Sequence, residues 1–133
     1  MAFEGGLRSY LAADGAVAAV AESLWAFRVP ETAPHPSVLV RRISTGREYA
    51  HDGPVGWAEV RTQIDCSAED PDDARRLGNA VRRAVSGYSG AMGSSVVRGL
   101  LVADERDLFE ESGEGRGLHR VSMDITGFVR ETP

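Results

Sequence analysis

From Ala58 to Cys66 the chain alternates without a break. Ala58, Val60, Thr62, Ile64 and Cys66 point one way, and Glu59, Arg61, Gln63 and Asp65 point the other. Successive side chains of a strand leave on opposite faces, so this period of two reads as a strand with one buried and one wet face. Such a strand belongs to an antiparallel type of sheet, because parallel sheets are buried on both sides. A strongly marked helix follows at once. Asp70-Pro71-Asp72-Asp73 supplies a cap, a proline suited to the first helical position, and two acids against the positive helix end. Ala74, Leu77, Val81, Ala84 and Val85 form its apolar stripe, with Arg75, Arg76, Asn79, Arg82 and Arg83 outward and Gly87 placed to end it.

The remaining elements are read in the same way. Phe3, Leu7, Tyr10 and Leu11 recur at helical spacing, and Asp14 can cap a further turn carrying Val17 and Val20. Trp25, Phe27 and Val29 alternate like a strand before Pro30, Pro34 and Pro36 force a loop. A strand over residues 37–45 carries Val38, Leu39, Val40 and Ile43, and residues 46–56 read as a polar connection. Residues 87–95 are small and flexible in character. Two strands close the chain, over residues 96–103 and 118–129, and an acidic, Gly-rich loop over residues 105–117 joins them. The expected fold class is α+β: a single domain over residues 1–133, with a mixed, mostly antiparallel sheet of about five strands. One main helix and short N-terminal helices rest on that sheet.

Composition narrows the function. At 42% hydrophobic content the chain can form a core. All fifteen basic residues are arginine, which suits forked pairing with carboxylates, although a GC-rich genome explains the same bias. The net charge of -5 opposes a general grip on nucleic acid, which needs a basic stripe. The longest apolar run, residues 16–21, is far short of a membrane span, and Glu4, Gly5 and Gly6 stand where a signal peptide would be apolar. The chain is therefore expected to arise in the cytoplasm. Cys66 is the sole cysteine, and its place on the apolar side of its strand makes it a small core residue.

No pattern calls for catalysis, a cofactor or a metal. His35, His51 and His119 are scattered without a second ligand at metal spacing. Gly87-Tyr88-Ser89-Gly90-Ala91 resembles a nucleophile elbow but follows a helix and ends in Ala. Gly113, Gly115 and Gly117 precede a strand, so the geometry that cradles phosphate is missing. Asp70, Asp72 and Asp73 are explained by helix capping, and Glu110 and Glu111 have no partner base nearby in sequence.

The order of elements resembles the tail-completion (tail-terminator) family of long-tailed bacteriophages and gene-transfer particles. Four stretches carry the resemblance. They are Leu7-Arg8-Ser9-Tyr10-Leu11-Ala12-Ala13-Asp14; Val29-Pro30 through Pro34-His35-Pro36-Ser37-Val38-Leu39-Val40; Val60 to Cys66 entering Asp70 to Leu77; and Gly117 to Ile125. These are packing patterns rather than a chemical signature, and they span the chain from about Leu7 to Val129. The resemblance implies a structural virion protein forming a homo-oligomeric ring, commonly a hexamer. Such a ring caps the finished tail tube, joins it to the neck, and leaves a hole through which DNA passes as cargo. Its partners would be further copies of itself, the tube protein and a head-completion protein, with assembly in the host cytoplasm.

Two other readings stay open at this point: a head-completion or neck connector protein, and a cellular α+β domain that binds a small ligand. A ring needs two different complementary patches per subunit. The candidate pair is the Arg face of the main helix (Arg75, Arg76, Arg82, Arg83) and the acidic segment Glu105, Asp107, Glu110 and Glu111. Arg forks against carboxylates would set register there.

Overall fold

A computed structural model gives the fold and describes residues 3–30, 32–50, 53–111 and 117–131. In chain order the elements are α1 (Phe3–Ala13), α2 (Gly15–Val20), β1 (Ser23–Ala26), β2 (Ser37–Ala50) and β3 (Gly53–Ala68). They are followed by α3 (Pro71–Val85), β4 (Gly90–Met92), β5 (Ser95–Glu111) and β6 (Gly117–Glu131). All six strands form one sheet in the order β1-β2-β3-β6-β5-β4. β1 runs parallel to β2, and every other neighbouring pair is antiparallel. The fold is the expected α+β class with a mixed sheet, one strand richer than expected. The extra strand is β4, in the small-residue segment where flexible chain was expected.

The helix ends follow the sequence signals. Asp14 accepts from the Val17 amide at 3.1 Å and Asp70 from the Asp72 amide at 2.7 Å, with Pro71 opening α3. Each carboxylate satisfies an amide that the first turn leaves without a helical partner. Gly87, one residue past the α3 cap, takes a φ of 76°, which an L side chain rarely adopts.

The helices lie on one face of the sheet. Beneath them Val38, Val40, Val60, Ile64, Cys66, Met123, Ile125 and Val129 join Leu7, Leu11, Leu77, Val81 and Val85 in one buried cluster. Between sheet and main helix, Val60, Ile64, Leu77, Val81, Val121 and Ile125 are all buried. α3 approaches β6 closely at Gly78, where an added Cβ would stand 2.9 Å from a Val121 methyl. Tyr10 ties α1 to the end of α3 by donating to the Ala84 carbonyl at 2.7 Å. Burial raises the pKa of the Cys66 thiol, with Asp65 and Glu105 adding to the effect, so the thiol stays protonated in the core.

Two expected loops are strands. Residues 46–50 and 53–56 continue β2 and β3, with Gly46 opposite Glu59, Arg47 opposite Ala58 and Ala50 opposite Gly53. The polar connection expected over residues 46–56 thus shrinks to His51 and Asp52, which lie outside the described residues. Likewise residues 105–111 extend β5, with Glu105 opposite Met123 and Glu111 opposite Gly117. Gly113 and Gly115 lie outside the described residues, and Gly117 opens β6. The physical reason is the same in both hairpins. A ladder fills backbone hydrogen bonds whatever the side chains are, so a neighbouring strand can extend pairing past the apolar stripe. β5 bends on the way. Gly99 has a φ of 61°, and the register shifts between Arg98 and Leu101, as at a bulge built on a left-handed glycine.

Candidate assembly surface

The face opposite the helices carries charge in pairs. Asp65 is buried there, with its side chain 5% exposed. It accepts from Ser122 Oγ at 2.7 Å and from Gln63 Nε2 at 2.9 Å, and Arg41 stands 3.6 Å away. One register position along, Asp124 lies between Arg61 at 3.6 Å and Arg106 at 3.5 Å, and Arg106 also meets Asp104 at 2.8 Å. Arg120 closes the row, donating to Ser67 Oγ at 3.2 Å and to Glu110 at 3.0 Å. The register explains the alignment. Leu39, Asp65, Ser122 and Arg106 stand level across four strands, as do Arg41, Gln63, Asp124 and Asp104.

This face differs from the wet surface expected of it. Asp65, Ser67 and Ser122 are all buried. A buried carboxylate needs hydrogen bonds and a countercharge, and Asp65 has both. Further along the same face apolar side chains reach solvent: Leu101 is 60% exposed and Phe128 40%. Arg98, opposite Phe128, lies 4.6 Å above the Trp57 ring.

The charged residues singled out in the sequence fall into place as follows. Arg75, Arg76 and Arg83 are exposed on α3, and Arg82 is half-buried with a bond to Asn79 at 3.2 Å. Arg76 pairs with Asp73 along the same helix at 3.4 Å. Glu105, Asp107, Glu110 and Glu111 sit in β5 rather than in a loop. Arg75 reaches Asp107 at 2.6 Å, so the two groups touch within one chain. Sequence reading missed Arg41 as a partner of Asp65, Arg61 and Arg106 as partners of Asp124, and Arg120 as a partner of Glu110. A signal existed in the alternation of Arg and Asp along β3 and β6. Which arginine meets which acid depends on cross-strand register, which one strand alone does not define.

The chemistry of the surface is that of contact. His35 meets Ser37 Oγ at 3.0 Å, His119 lies against Phe109 with ring centres 4.7 Å apart, and His51 is outside the described residues. Among the described residues no group of three or more His, Cys, Asp or Glu is arranged to hold a metal ion. No helix there is long and apolar enough to cross a membrane.

Fold and surface together define a small α+β protein with paired charge on one sheet face and exposed apolar side chains further along it. The sequence profile described as Tail completion protein gp17 matches residues 5–130, and the chain belongs to that family. Among solved structures, a chain of the virion of a native gene transfer agent particle has the same fold. The TM-score is 0.64 at 15% identity, covering 96% of this chain and 93% of that one. Among curated proteins none matches in sequence. By its family the protein is a structural component of a phage-type tail and not an enzyme.

Proposed function

We propose that this subunit is the tail terminator: copies close into a ring that caps the tail tube, stops its growth and joins it to the neck. The family match over residues 5–130 carries this reading. The ring leaves an axial hole for DNA, and the net charge of -5 suits a wall from which passing DNA is repelled. Its partners are further copies of itself, the tube protein on one side and a head-completion protein on the other. Assembly takes place in the cytoplasm of the host. The acidic stretch of β5 is the charged surface offered to contacts between subunits.

Deleting the gene in a producing strain and measuring tails by negative-stain microscopy tests the role. The expected result is overlong, uncapped tails separate from filled heads. Tails of normal length joined to heads would overturn the reading. Tails of normal length that fail only to join heads would assign the protein to the neck instead.

A further inference from the structure

Each border of the sheet is covered along only part of its length. β1 pairs with β2 over residues 37–40, and the Phe27 amide adds one bond to the Val40 carbonyl. From residue 41 to residue 50 the outer side of β2 meets no strand among the described residues. On the opposite border β4 pairs with β5 over residues 95–97, and Gly87 and Tyr88 bond to Leu100. From residue 101 to residue 111 the outer side of β5 likewise meets no strand among the described residues. A long strand edge of this kind is a ready template for another chain, and proteins ordinarily shorten or cover it.

The two free edges are opposite in charge. Residues 41–50 carry Arg41, Arg42 and Arg47 against Glu48. Residues 101–111 carry Asp104, Glu105, Asp107, Glu110 and Glu111 against Arg106. Pairing β2 with β2 would oppose arginines, and pairing β5 with β5 would oppose acids. Net charge therefore favours the head-to-tail combination. Three of the acids already have partners in the chain: Asp104 with Arg106, Asp107 with Arg75, and Glu110 with Arg120. Those pairs are largely solvent-exposed and weak, so charge here selects partner and register while backbone hydrogen bonds hold the contact.

We propose that the free edge of β5 in one subunit pairs antiparallel with the free edge of β2 in the next, giving one continuous sheet around the assembly. The inference rests on the ring reading above and names its contact. Strand directions fit, because β2 and β5 run opposite ways within the sheet. The offset fits as well. Arg106 is level with Leu39, whereas the middle of the free β2 edge lies near Thr45. Each subunit therefore steps by about six residues, or ~20 Å, across four strands spanning ~19 Å. Closing such a sheet requires strands tilted by ~45°, an inclination that closed barrels adopt. The short strands β1 and β4 then lie beyond the ends of the new pairing and do not obstruct it.

Two variants and one measurement on the unaltered protein decide the matter. The first variant is Arg42→Glu with Arg47→Glu; the second is Asp104→Arg with Glu105→Arg and Glu110→Arg. Sedimentation and negative-stain imaging should find rings for the parent and association at least about tenfold weaker for either variant alone. An equimolar mixture should restore rings, because every contact then joins an acidic edge to a basic one. Amide exchange on the parent should slow over residues 41–50 and 101–111 when rings form, whether or not the variants fold. Rings from each variant alone, or edges whose exchange is unchanged in parental rings, would overturn the edge contact and leave the ring standing. A parent that forms no ring, alone or on tube ends, would overturn the ring itself and this contact with it.

Discussion

The two faces of the sheet are built from the same strands and stabilised in opposite ways. Under the helices, Val38, Cys66 and Val121 stand level, as do Val40, Ile64 and Met123, and all six are buried. On the other face, Asp65, Ser67 and Ser122 are also buried, yet polar groups fill the positions. One face is held by removing apolar surface from water, which works without direction. The other is held by hydrogen bonds whose partners must all be present. Losing a side chain on the covered face leaves a hole. On the open face it leaves a charge or donor without its partner.

The largest expected effect lies on the covered face. Leu77→Ala or Ile64→Ala should lower unfolding free energy by about 2–5 kcal/mol in denaturant titrations, because each side chain is fully buried and the space cannot close. If both variants unfold like the parent, the helix does not seal this face. Next comes the open face. Asp65→Ala strips Ser122, Gln63 and Arg41 of a shared acceptor and should cost about 1–3 kcal/mol. A loss below the scatter of the titration would mean that water replaces the carboxylate and that this face is wet after all. The smallest effect sharpens the contrast. Thr62 is buried on the covered face, and its hydroxyl has no hydrogen-bond partner among the described residues. Thr62→Val should therefore stabilise by about 1 kcal/mol. A fall in melting temperature instead would show that the covered face has its own need for a polar group.

The legible parts of the fold were those where local pattern and tertiary environment agree. The alternation from Ala58 to Cys66, the Asp70-Pro71 start of α3 and the stripe of Ala74, Leu77, Val81 and Val85 appear in the structure as read. The outer halves of both hairpins were not legible. Residues 46–50 and 105–111 are mostly polar or charged, with no apolar period to mark them, yet they are strands because a partner strand supplies their hydrogen bonds. β4 is similar: three residues, Gly90–Met92, become a strand only through the neighbouring β5.

The charged surface divides in the same way. Composition and alternation determined that this chain would carry many arginines and acids on one side of its strands, and that Asp70 and Asp14 would cap helices. Those are consequences of nearest neighbours along the chain. Tertiary structure alone decided that Arg75 would meet Asp107, that Asp65 would be buried under Ser122, and which edges of β2 and β5 would stay uncovered. Each of these depends on the order and register of strands far apart in sequence, where a shift of one residue would turn every side chain to the other face.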